Sequence, residues 1–289
     1  MKASGKGAMV ADSQSGLQYL GKTLNYIALI AVSILLLIPF LWMIATSLKP
    51  NGEVMSVPLQ WFGSKIVWNN YAQAMTFLPF GIFIANSLIV GIFGTLLTLL
   101  TSSLSAYAFA RLRFKIRDKL FLAYLATLMV PQQVVIIPMF LLMNYFGWVN
   151  TYQSLIIPWA FTAFGTFLLR QFFMAVPFEF DEAARLEGAT HFGIYWRIIL
   201  PMSKAGLATL AVFTFQTYWN NFLWPLIIVN KQNLMTLPLG LGRFQGQFGT
   251  QWNLLMAAAT ISVIPALLLY IFAQRYIVAG IQFSGLGGR

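Results

Sequence analysis

The side chains able to do chemistry fall into two groups, one charged and one built from amides. Glu179, Asp181, Glu182 and Glu187, four of the seven acids in 289 residues, crowd into one polar stretch with Arg185 and the lone histidine, His191. A histidine among carboxylates is the raw material of acid–base catalysis or metal binding. Here it lacks company: with no cysteine in the chain, thiol and disulfide chemistry is excluded, and zinc would rest on His191 and carboxylates alone. No catalytic residue and no metal site is assigned. The second group is uncharged. Gln216 and Asn220 are four apart and share a helix face, with Thr217 and Asn221 one step round and Tyr218, Trp219 and Trp224 alongside. Gln132 and Gln133 sit beside Pro131, and Asn86 precedes Ser87. Such groups either line a polar path or hold helices together by hydrogen bonds; for Asn86 and Ser87 packing is the expectation.

The elements that must position both groups follow from composition. Hydrophobic residues make up 59% of the chain and charged ones 9%, against about 45–50% and about 25% in a soluble domain. Mean hydropathy is +0.74. A water-soluble globule and a disordered chain are both excluded. Six uncharged stretches, approximately Leu24 to Leu48, Phe80 to Ala110, Leu120 to Met143, Tyr152 to Leu169, Ala205 to Val229 and Leu254 to Ala273, are near the roughly 20 residues that cross a bilayer. Helices alone satisfy their own backbone in lipid at these lengths, so the fold class is all-α, a polytopic membrane protein with six transmembrane helices. Leu104 to Ala110 is expected to run on as helix past the bilayer. Pro39, Pro131, Pro138, Pro158, Pro225 and Pro265 each remove an amide donor, and bends or breaks are expected there.

The basic excess, +11 with a pI near 10, could suggest a nucleic-acid partner, but its distribution says otherwise. Fourteen of the 18 Lys and Arg residues fall in segments 1–23, 111–119, 170–204 and the tail from 275, and four in the alternate segments. By the positive-inside rule both termini lie in the cytoplasm, and no nucleic acid is expected. The first apolar run, about 25 residues, is too long for a signal peptide's core of about 7–15, so an uncleaved first helix is expected.

The acidic stretch therefore faces the cytoplasm. Asp181 to Glu187 reads as a short helix with acids at its positive end, and Gly188 as a left-handed stop. Thr190 can cap a second helix, Phe192 to Ile199, with Phe192, Tyr195, Trp196 and Ile199 on one face. On pattern alone this could be an amphipathic hairpin lying on lipid headgroups. Yet Glu182-Ala183-Ala184, then Gly188, then Ile198 and Leu200-Pro201 at the right separations resemble the EAA motif of the membrane subunits of ATP-binding-cassette importers. The resemblance extends to Asn86-Ser87, Ala106 to Arg111, Pro131-Gln132-Gln133 with Ile137-Pro138, and Tyr218 to Leu226, all similar to the carbohydrate-uptake branch that holds the maltose and glycerol-phosphate permeases. It covers roughly residues 20 to 285; the first 20 residues match nothing recognisable and the tail only loosely follows the maltose-type ending.

The resemblance implies the type I importer permease fold: a cytoplasmic segment 1–23, a permease domain 24–280 with a coupling loop at about 176–203, and a cytoplasmic tail 281–289. It implies partners: a second permease subunit, two ATP-binding-cassette ATPase subunits, an extracytoplasmic solute-binding protein, a sugar and the lipid bilayer. The coupling loop is implied to use Asp181, Glu182, Ala183, Ala184, Gly188, Ile198, Leu200 and Pro201, with Glu182 as acidic anchor, Gly188 as the turn and Leu200-Pro201 as the return into the membrane. The chain has no phosphate-cradling glycine-rich motif, so no cofactor is expected in it, with ATP and Mg held by the partner ATPases. The candidate pathway is Gln132, Gln133, Gln216, Tyr218, Asn220 and Asn221. Amides plus aromatic faces suit a neutral polyol. An ion-gradient carrier would call for an ionisable group at membrane depth, and a membrane enzyme for a catalytic cluster; neither appears in the six stretches. The glycine-rich stretch Asn230 to Trp252 is expected to face the binding protein.

Overall fold

The computed structural model describes residues 6–246 and 249–285. The chain is built from α1 (Lys6–Ser47), α2 (Asn69–Phe77), α3 (Phe80–Arg111), α4 (Arg117–Ala126), α5 (Gln132–Tyr145), α6 (Tyr152–Ile156) and α7 (Ala163–Ala175). Then come the loop helices α8 (Glu179–Leu186), α9 (His191–Ile194) and α10 (Leu200–Met202), followed by α11 (Lys204–Trp219), α12 (Leu223–Ile228), α13 (Leu237–Gly242) and α14 (Trp252–Gly285). Between α13 and α14, β1 (Gln245–Gly246) and β2 (Gly249–Thr250) pair antiparallel, Gln245 opposite Thr250.

Among the described residues three helices are unbroken and apolar over a membrane's thickness: Gly21–Ser47, Phe80–Arg111 and Trp252–Gln274. The other three stretches are bent pairs, which gives six candidate spans if each pair counts as one. Arg117–Met129 meets Gln132–Tyr145 at 99°, Tyr152–Trp159 meets Ala163–Ala175 at 50°, and His191–Met202 meets Lys204–Trp219 at 79°. Proline explains part of this. Pro131 is extended (ψ 137°) and forces Val130 out of the helical region (ψ 115°), which opens the sharpest bend. Pro158 sits in the tight turn Ile157–Trp159 at the second. Pro39, Pro138 and Pro265, in contrast, lie inside helices that continue through them. Pro225 stands in the first turn of α12, where a missing amide hydrogen is no loss. As expected, α3 runs on through Leu104–Ala110, to Arg111.

The centre of the molecule is α3, against which α7 and α11 pack. Its inner stripe holds Ser87, Val90, Gly91, Gly94, Thr95, Thr98 and Ser102, all buried and mostly small, which lets neighbouring helices approach closely. At Gly94 the Tyr218 ring lies where a Cβ would stand, 2.5 Å from that position. Burial is divided between two clusters at the two ends of α3. One gathers Phe80, Phe83, Trp219, Trp224, Ile228 and Leu237; the other gathers Ala106, Tyr107, Leu169, Phe173, Tyr195 and Ile199.

The connection from α1 to α2 is closed by Val67 N donating to Leu48 O at 2.8 Å. Asn70 Nδ2 donates to Ser47 O and Lys49 O at 2.8 and 2.9 Å. Within the connection Glu53 accepts from Ser64 N at 2.6 Å and from its hydroxyl, and these bonds hold the Glu53 carboxyl below the usual carboxylate range. Lys49 is buried and donates to Gln60 O; burial lowers its ammonium pKa, while Glu53 pulls it back up.

Candidate coupling site and candidate pathway

The loop between α7 and α11 folds as a helix, a left-handed turn and a second helix. Glu179, Asp181 and Glu182 occupy the first turn of α8, where the helix dipole favours them. The helix spans Glu179–Leu186 rather than Asp181 to Glu187. Gly188 (φ +83°) ends it as expected: Gly188 N donates to Arg185 O and Ala189 N to Ala184 O, both at 2.9 Å, the paired bonds of a Schellman stop. Thr190 caps the second helix, its hydroxyl accepting from Gly193 N at 3.1 Å.

That second helix departs from expectation. Residues Tyr195–Ile199 wind as a π turn, Leu200 N reaching back to Tyr195 O. Pro201 offers no amide hydrogen to the Arg197 carbonyl, so ordinary α winding loses a bond here and the wider turn replaces it. The predicted single apolar face is therefore split. Tyr195 and Ile199 are buried, while Phe192 and Trp196 are 67% and 59% exposed.

The buried side seats the loop on the ends of α3 and α7. The Tyr195 hydroxyl pairs with Ser103 Oγ at 2.8 Å, its ring meets Tyr107 edge-on at 5.4 Å, and the Tyr107 hydroxyl lies 3.5 Å from His191 Nδ1. Arg111, the last residue of α3, lies 2.9 Å from Asp181. Its guanidinium donates to Phe173 O at 2.6 Å and Val176 O at 2.7 Å, and stacks 4.4 Å from the Phe178 ring. The eight residues expected to form the coupling surface thus divide. Asp181 and Ala184 face inward, Ile198 and Leu200 are half-buried, and Glu182, Ala183, Gly188 and Pro201 are exposed. Beside them opens a cleft of about 580 Å³ between Arg111, Phe114, Phe178, Glu182, Arg185 and His191. Arg111 was legible only as a basic residue closing a motif; its hint was an arginine directly after an uncharged helix, where a buried acid must answer it.

The candidate pathway residues divide in the same way. Gln132 and Gln133 are exposed where α5 leaves the 99° bend. Gln216 and Asn220 are exposed on α11 and at its end, Asn220 N bonding to Gln216 O. Asn221 is half-buried, its Oδ1 accepting from Trp224 N at 3.3 Å to start α12. The aromatic neighbours turn inward. Tyr218 donates to Ile156 O at 2.8 Å, Trp219 stacks on Phe215 at 5.6 Å, and Trp224 donates to Ser154 O at 2.7 Å. Tyr218 thus enters the packing of this chain rather than its open surface.

Asn86 and Ser87 pack, as expected, and what they hold is the stretch after α12. Asn86 Nδ2 donates to Asn233 O and Met235 O, each at 2.9 Å, and its Oδ1 accepts from the Tyr152 hydroxyl at 2.6 Å. Ser87 Oγ accepts from Leu237 N at 2.7 Å. Asn150, with φ +61°, accepts from Asn230 N and Lys231 N at 2.6 and 3.0 Å. Among the described residues no cluster of three or more histidine or acidic side chains is placed to hold a metal.

Three long apolar helices, three bent helix pairs and a helical hairpin at one end give a scaffold whose helices are long and apolar enough to cross a membrane. Known proteins narrow this further. The chain belongs to the family described as the binding-protein-dependent transport system inner membrane component, whose model matches residues 98–283. It is 34% identical over 266 residues to the arabinooligosaccharides transport system permease protein AraQ of Halalkalibacterium halodurans, covering 91% of this chain and 94% of the relative. It is also 34% identical over 281 residues to the sn-glycerol-3-phosphate transport system permease protein UgpE of Pectobacterium atrosepticum, covering 94% and 99%. Its fold is shared by a chain of a bacterial ABC transporter involved in the import of the acidic polysaccharide alginate, with TM-score 0.80 at 22% identity over 90% of this chain and 97% of that one. Membership makes the chain a transport subunit of the inner membrane rather than an enzyme, with ATP hydrolysis in a separate subunit.

Proposed function

We propose that the chain is one half of the translocation path for a neutral sugar or oligosaccharide, driven by two cytoplasmic ATPases that dock on α8. The observation that carries this is the hairpin itself: Glu182, Ala183 and Gly188 are exposed at its tip while its other face is anchored on α3 and α7. A small, rigid, outward-facing projection converts the closure of a partner into a tilt of the helices behind it. Both termini and the hairpin lie in the cytoplasm, in line with the distribution of lysine and arginine. A second permease subunit, homologous or identical, completes the path, and Gln132, Gln133, Gln216 and Asn220 line this chain's half with Asn221 beside them. The stretch from Asn230 to Met235, fastened by Asn86 and Asn150, presents a fixed surface to a solute-binding protein on the other side.

Relatives named for arabino-oligosaccharides and for glycerol phosphate bracket neutral and anionic cargo. The uncharged exposed amides of this chain favour the neutral class. The experiment is reconstitution with the partner permease, ATPases and binding protein in liposomes, followed by uptake of tritiated arabino-oligosaccharides and of sn-glycerol 3-phosphate. ATP-dependent accumulation of the neutral probes is expected; accumulation without ATP or without the ATPases overturns the proposal.

A further inference from the structure

We propose that Arg111 and Asp181 form a clamp that makes the hairpin move as one body with α3 and α7, so that Asp181 is a positioning residue rather than part of the docking surface. This rests on the coupling role proposed above and sharpens it. A single guanidinium reaches three elements: it terminates α3, donates to the Phe173 and Val176 carbonyls that close α7, and lies 2.9 Å from Asp181 on α8, with both side chains at most 5% exposed. The Phe178 ring covers its face at 4.4 Å. A short helix held only by apolar contact can slide; one held by a buried charge pair cannot leave without stranding two charges. The ion pair is close yet not aligned as a hydrogen bond, and Arg111 Nε and both Asp181 oxygens have no other partner. The pair thus acts through charge and position and is sensitive to its loss.

The test uses the whole importer in liposomes and counts probe molecules accumulated per ATP hydrolysed. The probe is tritiated arabino-oligosaccharide, or sn-glycerol 3-phosphate if that is what the wild type accumulates. Asp181→Asn keeps the shape and removes the charge. It is expected to retain the ATPases on co-purification and to hydrolyse ATP within about twofold of wild type, with transport per ATP falling by about tenfold. Arg111→Lys keeps the charge but loses the planar fork, and falls in the same direction by less. Misfolding lowers uptake and hydrolysis together, so the ratio isolates positioning. An unchanged ratio, or loss of the ATPases from the Asp181→Asn complex, overturns the inference. If neither variant is recovered as a folded permease, the paired exchange Arg111→Met with Asp181→Leu fills the space without charge, and full coupling in that variant overturns it as well. Wild-type uptake that persists without the ATPases would instead sink the transport reading itself.

Discussion

The two ends of α3 are held by different means. At one end Asn86 donates to the backbone carbonyls of Asn233 and Met235 and Ser87 accepts from Leu237 N, between large aromatic residues such as Phe83 and Trp224 that are completely buried. At the other, the hairpin rests on one ion pair, one hydroxyl pair and a smaller cluster, with its outer face bare. The first arrangement fixes a surface; the second fixes a lever to its arm while leaving its tip free. Neutral backbone contacts suit a part that must stay where it is. A charge pair at the base of a projection suits one that must carry a load without slipping.

The contrast can be broken first at the fixed end. Asn86→Leu leaves two carbonyls and the Tyr152 hydroxyl without their partner, and should destabilise the protein by about 3 kcal/mol in detergent melts. At the lever end, Gly188→Val forces a β-branched residue into φ +83°; it should cut transport per ATP by more than about tenfold while the protein still inserts. Unchanged transport would show that the turn does not matter to coupling. Tyr195→Phe removes only the bond to Ser103, about 1 kcal/mol by the same melts, and a loss as large as that of Asn86→Leu would erase the distinction between the ends. The smallest effect lies in the connection after α1. Because Glu53 has a folded pKa below its unfolded value, its contribution is present at neutral pH and disappears as the pH falls through the folded value. Ser64→Ala removes the hydroxyl bond and should move that transition to higher pH, followed by the carboxyl shift of Glu53 in NMR.

Much of this was legible from residue types. Gly188 could be placed as the turn because a glycine after a short acidic helix has few other uses, and Thr190 because a hydroxyl two residues on can cap. The apolar stretches were located, and two of the bends fall at prolines named for them, Pro131 and Pro158, but not every such proline bends its helix: the outcome depends on its neighbours, and Pro131 breaks the helix where Pro39 and Pro265 do not. The inward turn of Asp181 and Tyr218 was hidden for a similar reason. Both belong to helices with several polar or aromatic residues in succession, and only the position of α3 decides which of them faces it.

The π turn has one further consequence, and it concerns angular phase. A turn of this kind carries one residue beyond what regular winding needs, so deleting a single residue within Tyr195–Ile199 would restore the usual pitch. Because the wide turn takes up that residue within itself, the helix ahead of the deletion would keep close to its present heading. One surplus peptide unit is thus stored without turning the projection: Tyr195 and Ile199, one wide turn apart, both stay buried.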